Sequence, residues 1–305
     1  KNLPQTFQDT TLCRAYIFTN DETYPEVEDG PSQPLPAAQG FTNNDYSPLG
    51  IMTFGNLVVD GNGQHKLTLK GTEQSGGSAY GLIIQNGSIL TFNDIVLTGT
   101  FVGNNGGTGG FAANVGPGGE AYFARIDSGT LMISSSSINN VTITGGNGGA
   151  GKSVGRGGTG GDAYGFALDK GNILVQKSTI SLTVLAGISS KQNGNAYGFY
   201  AYDNSSKIEI KDSSVTLRIS TQTGGSSTNP GTAYGVYSNG DVKIENTYLD
   251  IINVQITPNQ AKTLEMPNST FAIDVFIDVY GNLTADYCKI KEAENSLSGQ
   301  VDLQL

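Results

Sequence analysis

The chain has 305 residues, of which 37% are apolar and 43 are glycine, about twice the usual share of glycine. Its net charge of −10 argues against binding to nucleic acid, because phosphates require a basic surface. No apolar run reaches the length of a transmembrane helix, so no membrane-spanning segment is expected.

The first 50 residues differ in composition from the rest of the chain. They contain six of the ten prolines and mostly acidic charges, and their one strand-like run is TLCRAYIF at 11–18. This composition predicts an N-terminal cap over 1–50, followed by a second region over 51–305. Because the chain begins at Lys1 and has no apolar leader, we expect a mature product from which an export signal has been removed.

Residues 51–305 repeat one pattern. An Ala-Tyr pair opens each clear unit, and short runs of alternating apolar and polar residues follow it, separated by turn residues; the pairs begin at Ala79, Ala121, Ala163, Ala196 and Ala233. Parallel stacking of equivalent strands places like residues in register, whereas an antiparallel sandwich does not. The pattern therefore predicts an all-β fold: a single-stranded right-handed parallel β-helix with three strands per coil and six to seven coils.

Glycine-rich insertions of variable length separate the third run of one unit from the next Ala-Tyr pair, as at 102–119 and 144–161. We expect these loops to leave the helix at one corner. Two interpretations remain open. The loops are flexible linkers, or they pack back over the Ala- and Gly-rich outer face of the first strand.

Alternation with period two assigns the tyrosines to the inward phase, together with residues such as Leu82 and Phe166. The sequence therefore predicts a structural ladder of stacked tyrosines in the core, formed by Tyr80, Tyr122, Tyr164, Tyr197 and Tyr234.

The same alternation predicts an apolar stripe on the outer face of the second strand. The stripe would consist of Leu90, Phe92, Met132 and Leu174. Stacked apolar residues on a surface favour a docking site, and the expected occupant is the N-terminal segment around 12–18 or another protein chain.

The arrangement of polar residues argues against an enzyme. Outward acidic residues such as Asp127, Asp169 and Glu209 are single on their strands, no Asp-Asp pair occurs, and His65 is the one histidine. GGTGGDAYG at 157–165 matches one copy of a calcium-binding repeat that requires tandem copies. We therefore predict no catalytic residue, no metal site and no cofactor.

The segments AYGLIIQNGSILTFNDIVLTG (79–99), GNILVQKSTISLTV and GDVKIENTYLDI resemble the passenger regions of bacterial autotransporters and related pectin-lyase-like surface β-helices. The resemblance covers roughly 51–290. It implies a secreted or cell-surface adhesin, exported through an outer-membrane barrel, that binds an unidentified protein or glycan.

Two other functions remain open. The chain is a structural subunit that self-associates end to end into an extracellular fibre, because open β-helix ends expose unpaired strands. Alternatively, it is a polysaccharide lyase or hydrolase, since many β-helices have that activity.

Overall fold

A computed structural model describes the side chains of residues 58–61, 65–69, 77–107, 115–150, 157–221 and 231–250, and elsewhere the backbone of the strands named below. These residues form an all-β fold of two parallel sheets, with 17 and nine strands, and contain no helix. Nowhere in these ranges does a helix occur that could cross a membrane.

The strands in chain order are β1 Cys13–Ile17, β2 Glu22–Tyr24, β3 Leu49–Thr53, β4 Asn56–Asp60, β5 Lys66–Thr72, β6 Ala79–Ile84, β7 Ser88–Asn93, β8 Val96–Val102, β9 Ala121–Ser134, β10 Ser137–Thr144, β11 Ala163–Gln176, β12 Thr179–Leu185, β13 Ala196–Ala201, β14 Lys207–Lys211, β15 Ser214–Ser220, β16 Ala233–Ser238, β17 Asp241–Glu245, β18 Tyr248–Ile252, β19 Val254–Pro258, β20 Leu264–Glu265, β21 Thr270–Ala272, β22 Val275–Val279, β23 Leu283–Asp286, β24 Lys289–Lys291, β25 Ser296–Leu297 and β26 Val301–Gln304. The first and second runs of each repeat lie in the 17-stranded sheet, and β9 and β11 each contain both runs. The third run forms the nine-stranded sheet.

Equivalent residues of successive repeats pair in parallel, as the sequence predicts. Ala121 pairs with Ala163 and Tyr122 with Tyr164, and the register continues without a shift through the second run of the same two strands. The N-terminal strands continue this series, since β1 pairs with β4 and β2 with β5. The arrangement is compatible with a parallel β-helix.

The core lies between the two sheets and is apolar throughout its main cluster. The second and third runs supply the residues that the sequence assigns to it, such as Leu131, Ile173 and Leu182. A line of buried phenylalanines crosses successive repeats, with ring centroids 4.8–5.8 Å apart: Phe101, Phe123, Phe166 and Phe199.

The turn between the second and third runs is the same in each described repeat. Its first residue has a left-handed backbone, with φ between 47° and 50°, in Asp94, Ser135, Lys177, Asp212 and Asn246. A buried hydroxyl follows in most repeats, and it bonds to the turn of the preceding repeat. The N–H of Ser136 donates to Ser178 Oγ, and the N–H of Ser178 to Ser213 Oγ, both at 3.1 Å. These bonds satisfy N–H groups that the change of sheet would otherwise leave buried and unpaired.

The described parts of the glycine-rich loops pack against one another. We call them the glycine array: residues 103–107, 115–120, 145–150, 157–161 and 187–195. N–H groups three residues apart bond to the same neighbour: Gly145 donates to Leu185 at 2.8 Å, and Gly148 to Ile188 at 2.9 Å. A period of three residues is that of the extended polyproline II helix. The loops are therefore not flexible linkers where they are described, and they pack on each other.

Glycine is required in the array because the backbones touch. A Cβ on Gly146 would overlap the carbonyl oxygen of Asn104 and would lie 2.8 Å from that of Gly103. A Cβ on Gly161 or Gly187 would likewise overlap a carbonyl oxygen of a neighbouring segment. Side chains at these positions would force the segments apart.

Candidate functional site

The tyrosines lie on the outer face of the 17-stranded sheet, which corrects the inward phase that alternation predicts. Ala79 and Leu82 belong to the main core, whereas Tyr80 packs in a separate outer cluster. The alternation breaks at the residue after each tyrosine. A Cβ on Gly81 would meet the core ring of Phe101, so this glycine and Leu82 both face inward. Because Gly81 and Leu82 both face inward, the tyrosine before them is out of phase with the later inward residues and faces outward.

The five rings form one continuous stack along the sheet. We call it the tyrosine stack: Tyr80, Tyr122, Tyr164, Tyr197 and Tyr234. Neighbouring centroids are 4.7–5.2 Å apart, and the planes deviate by only 6–11°. Because the rings cover each other's faces, Tyr164 is only 8% exposed although it lies outside the core.

Two hydroxyl groups of the tyrosine stack donate hydrogen bonds to carboxylates. The hydroxyl of Tyr122 donates to Glu120 at 2.5 Å, and that of Tyr164 donates to Asp162 at 3.0 Å. Burial raises the pKa of both phenols, and the charges of Glu120 and Asp162 raise each pKa further. Burial likewise raises the pKa of Tyr197, and the charge of Asp162 raises it further. These groups therefore remain protonated donors at any physiological pH.

A second column of outward residues runs beside the stack. It is formed, in register, by Ile83, Arg125, Ala167, Tyr200 and Tyr237. Tyr200 lies 4.7 Å from Tyr197 between ring centroids, and Tyr202, two residues further on, is 63% exposed. The stack, the second column and Tyr202 together form what we call the tyrosine face.

Arg125 is the one cation in the second column, and its partners fix its position. Its Nε lies 2.6 Å from Oδ1 of Asp127, whose Oδ2 accepts a bond from Gln85 Nε2 at 2.8 Å. Burial alone would lower the pKa of Arg125, but the hydrogen bond and the charge of Asp127 outweigh it, so the pKa lies above its ordinary value. The guanidinium also lies over the rings of Tyr80 and Tyr122.

The predicted apolar stripe is not a continuous surface. Leu90 and Phe92 are fully buried in the core, paired with Leu131 and Ile133, and Ile89 takes the outward place. The stripe prediction equated Leu90 with Met132, which is one residue out of register. The turn after Ile84 is one residue longer than its equivalent after Ile126, and a slip by one residue exchanges the faces of a strand.

Met132 and Leu174 remain half-buried and adjacent on the outer face of the same sheet. In the following repeats their positions are occupied by Glu209 and Lys243. Two half-buried apolar residues beside Thr91 are ordinary for a protein surface and need no covering segment.

Several of the acidic residues among the described side chains bond to other protein groups, and they do not cluster with one another. Both oxygens of Asp162, the acid of the calcium-like segment, are in use, since Oδ1 accepts from the N–H of Asn195 at 2.6 Å. Glu245 pairs with Lys211 and Lys243 at 3.5 and 3.4 Å. No cluster of three or more potential metal ligands occurs among the side chains that the structure describes.

The chain matches no protein-family model, no curated protein and no solved structure. The geometry of the tyrosine face is therefore the basis for a functional assignment. Sequence reasoning identified the tyrosines but missed their orientation, together with Tyr200, Tyr237 and Arg125. The glycine that follows most of the repeated Ala-Tyr pairs was the available indication of a break in the alternation.

Proposed function

We propose that the chain is a non-enzymatic, secreted or cell-surface adhesin that binds its ligand through the tyrosine face, on a right-handed parallel β-helix of six to seven coils. The observation that carries the proposal is the outward position of the aromatic residues, with Tyr202 63% exposed beside half-buried Tyr200 and Tyr237. Tyrosine is enriched in binding sites because a rigid ring contributes contact area at little entropic cost, and its hydroxyl group adds a hydrogen bond.

A binding role without catalysis is supported by the state of three acidic groups on this face. Glu120, Asp162 and Asp127 are each bonded to a tyrosine or to Arg125. Glycoside hydrolysis requires two carboxyl groups directed at one bond of the substrate, and groups committed to protein partners do not supply that arrangement.

The test is a glycan and protein binding array with matched variants. In the face variant, Tyr200, Tyr202 and Tyr237 are replaced by Ser. The control is Tyr248→Ser, because Tyr248 is 44% exposed but lies on the nine-stranded sheet. We expect the wild-type protein and the control to capture the same ligand and the face variant to lose it. Equal capture by all three, or cleavage of an acidic polysaccharide by the wild-type protein, would contradict the proposal.

A structural subunit of an extracellular fibre is the second candidate. Among the described strands, β1 pairs only with β4 and β26 only with β23, so each end of the large sheet presents an edge strand. Edge strands pair readily with another chain. Filaments of constant width in electron micrographs of the purified protein would favour this function, and a monomer at all concentrations would exclude it.

A further inference from the structure

The rings of the tyrosine face form one continuous series of contacts that ends at an exposed residue. Neighbouring centroids in the tyrosine stack lie 4.7–5.2 Å apart, and Tyr200 lies 4.7 Å from Tyr197 and 5.5 Å from Tyr164. Tyr202 lies 6.5 Å from Tyr200, which is its one ring contact among the described side chains. These distances are those of rings in direct contact. An electron can therefore pass between Tyr202 and the stack in short steps from ring to ring.

Two phenols of the stack have a proton acceptor in place. The hydroxyl of Tyr122 donates to Glu120, and that of Tyr164 donates to Asp162. An oxidised phenol is a strong acid, so a phenol that gives up an electron gives up its proton as well. A bonded carboxylate receives that proton directly, as a positioned base does in catalysis. Tyr122 and Tyr164 are therefore the phenols of this face that are best placed to be oxidised.

The radical cannot couple to another molecule inside the stack. Tyr122 and Tyr164 are 7% and 8% exposed, and neighbouring rings cover both faces of each. Phenoxyl radicals join through the ring carbons beside the oxygen-bearing carbon, and those atoms must meet their counterparts in a second molecule. Tyr202 is 63% exposed, more than any other tyrosine among the described side chains. Coupling at Tyr202 is irreversible, so the radical is drawn from the stack to this ring.

Tyr202 is held by its backbone while its ring stays exposed. It follows directly after β13, and its N–H donates to the carbonyl of Leu168 at 2.8 Å. Its own carbonyl accepts a bond from Asn239 Nδ2 at 2.6 Å. The nearby Asn204 and Ser205 are also exposed. A twofold axis through this part of the surface would bring Tyr202 to its equivalent in a second copy of the chain, because such an axis pairs identical surfaces.

We propose that Tyr202 is an oxidative cross-linking site, at which two copies of the chain are joined by a dityrosine bond, and that the tyrosine stack supplies the radical. The oxidant is hydrogen peroxide acting through a haem peroxidase. After a stack phenol is oxidised, an electron passes from Tyr202 into the stack, the carboxylate returns its proton to the stack phenol, and Tyr202 releases its own proton to water.

The reaction is balanced over two chains. Each chain gives up one electron and one proton, and together these reduce one peroxide molecule to two water molecules. A carbon–carbon bond forms between the ring carbons beside the two oxygen-bearing carbons. The hydrogen atom on each of these carbons then moves to the adjacent oxygen, which restores both phenols. This inference goes beyond the proposed function, because the cross-link requires no ligand.

The experiment treats the full chain with a haem peroxidase and hydrogen peroxide at physiological ionic strength, which screens the repulsion between two chains of net charge −10. Denaturing electrophoresis under reducing conditions detects a covalent dimer, dityrosine fluorescence identifies the bond, and mass spectrometry of the cross-linked peptides locates it. We expect a dimer joined at Tyr202, and Tyr202→Phe should form several-fold less of it. Tyr248→Phe is the control and should dimerise as the wild type, because Tyr248 is 44% exposed but contacts no other described ring.

Tyr200→Phe tests the path from the stack. Phenylalanine keeps the ring and its packing, but a peroxidase does not oxidise it, so the one ring contact of Tyr202 no longer leads to the stack. We expect coupling at Tyr202 to fall several-fold in this variant. The matched control is Tyr237→Phe, in the same column, because Tyr237 packs on Tyr200 and Tyr234 but does not contact Tyr202. It should couple as the wild type does.

A wild-type chain that forms no dityrosine dimer would overturn the inference, as would a dimer that forms undiminished in Tyr202→Phe or cross-links at Tyr248 as abundant as those at Tyr202. Undiminished coupling in Tyr200→Phe, with the wild-type circular dichroism spectrum, would also overturn it, because the stack would then supply nothing. None of these results bears on capture in the binding array, which is measured without oxidant.

Discussion

Replacing Gly146 with Ala tests whether the glycine array stabilises the fold. A Cβ there would lie 2.5 Å from the carbonyl carbon of Asn104 and 2.8 Å from the carbonyl oxygen of Gly103, and it would overlap the oxygen of Asn104. The segments must separate to admit it. That movement strains two hydrogen bonds of 2.8 Å, from the N–H of Gly146 to Gly119 and from the N–H of Gly161 to Gly146. Overpacking and two weakened bonds together predict a loss of about 2–5 kcal/mol in the free energy of unfolding.

Urea denaturation followed by circular dichroism measures this loss. The control is Gly107→Ala, because Gly107 belongs to the same array but its Cβ would meet nothing within 4 Å. We expect the control to change the free energy of unfolding by less than about 1 kcal/mol. If the two variants are equally stable, the array does not pack as described and the loops behave as linkers.

Two further predictions concern pH and the serine turns. The pKa values of three tyrosines, Tyr122, Tyr164 and Tyr197, are raised above the ordinary value of about 10, so the folded chain keeps protons that the unfolded chain loses. Their contribution to the free energy of unfolding should be constant below about pH 9. Above about pH 10 this contribution should fall by roughly 1.4 kcal/mol per pH unit for each of the three residues. Denaturation at several pH values measures this. Phenolate absorbance at 295 nm that reaches the full value for all 14 tyrosines by about pH 12, in protein that is still folded, would contradict it. Ser178→Ala should lower the free energy of unfolding by about 1–3 kcal/mol, because it leaves the buried N–H of Ser136 without its acceptor. The control is Thr179→Ala, at an exposed position, which should leave the free energy of unfolding nearly unchanged in the same denaturation assay.

Repetition was the part of the fold that the sequence predicted well. The recurrence of Ala-Tyr pairs and the alternation in the second and third runs identified inward residues such as Ile173 and Ile208, which pair in register in the core. Such positions depend only on period two within a regular strand.

The candidate site depended on departures from that regularity. The glycine after most tyrosines adds one inward position, which turns Tyr164 outward although Phe166 faces inward. One extra turn residue before β7 exchanges the faces of Leu90 and Ile89. The second change is not visible in residue type, because a shift by one residue leaves an apolar run apolar. The packing of the glycine loops was left open for a similar reason, since composition alone does not distinguish a linker from an array.

The equivalence of successive repeats has a consequence for the gene. Residues 121–162 begin at Ala121 and end just before Ala163, its partner in register one repeat later. An in-frame deletion of this segment would join Glu120 directly to Ala163, and Glu120 would again stand two residues before a tyrosine, now Tyr164. A duplication would have the converse effect. Unequal recombination between repeats therefore changes the length of the molecule in whole steps, while the chain at the junction keeps the order of an acidic residue followed by Ala-Tyr, as at Glu120 and Asp162.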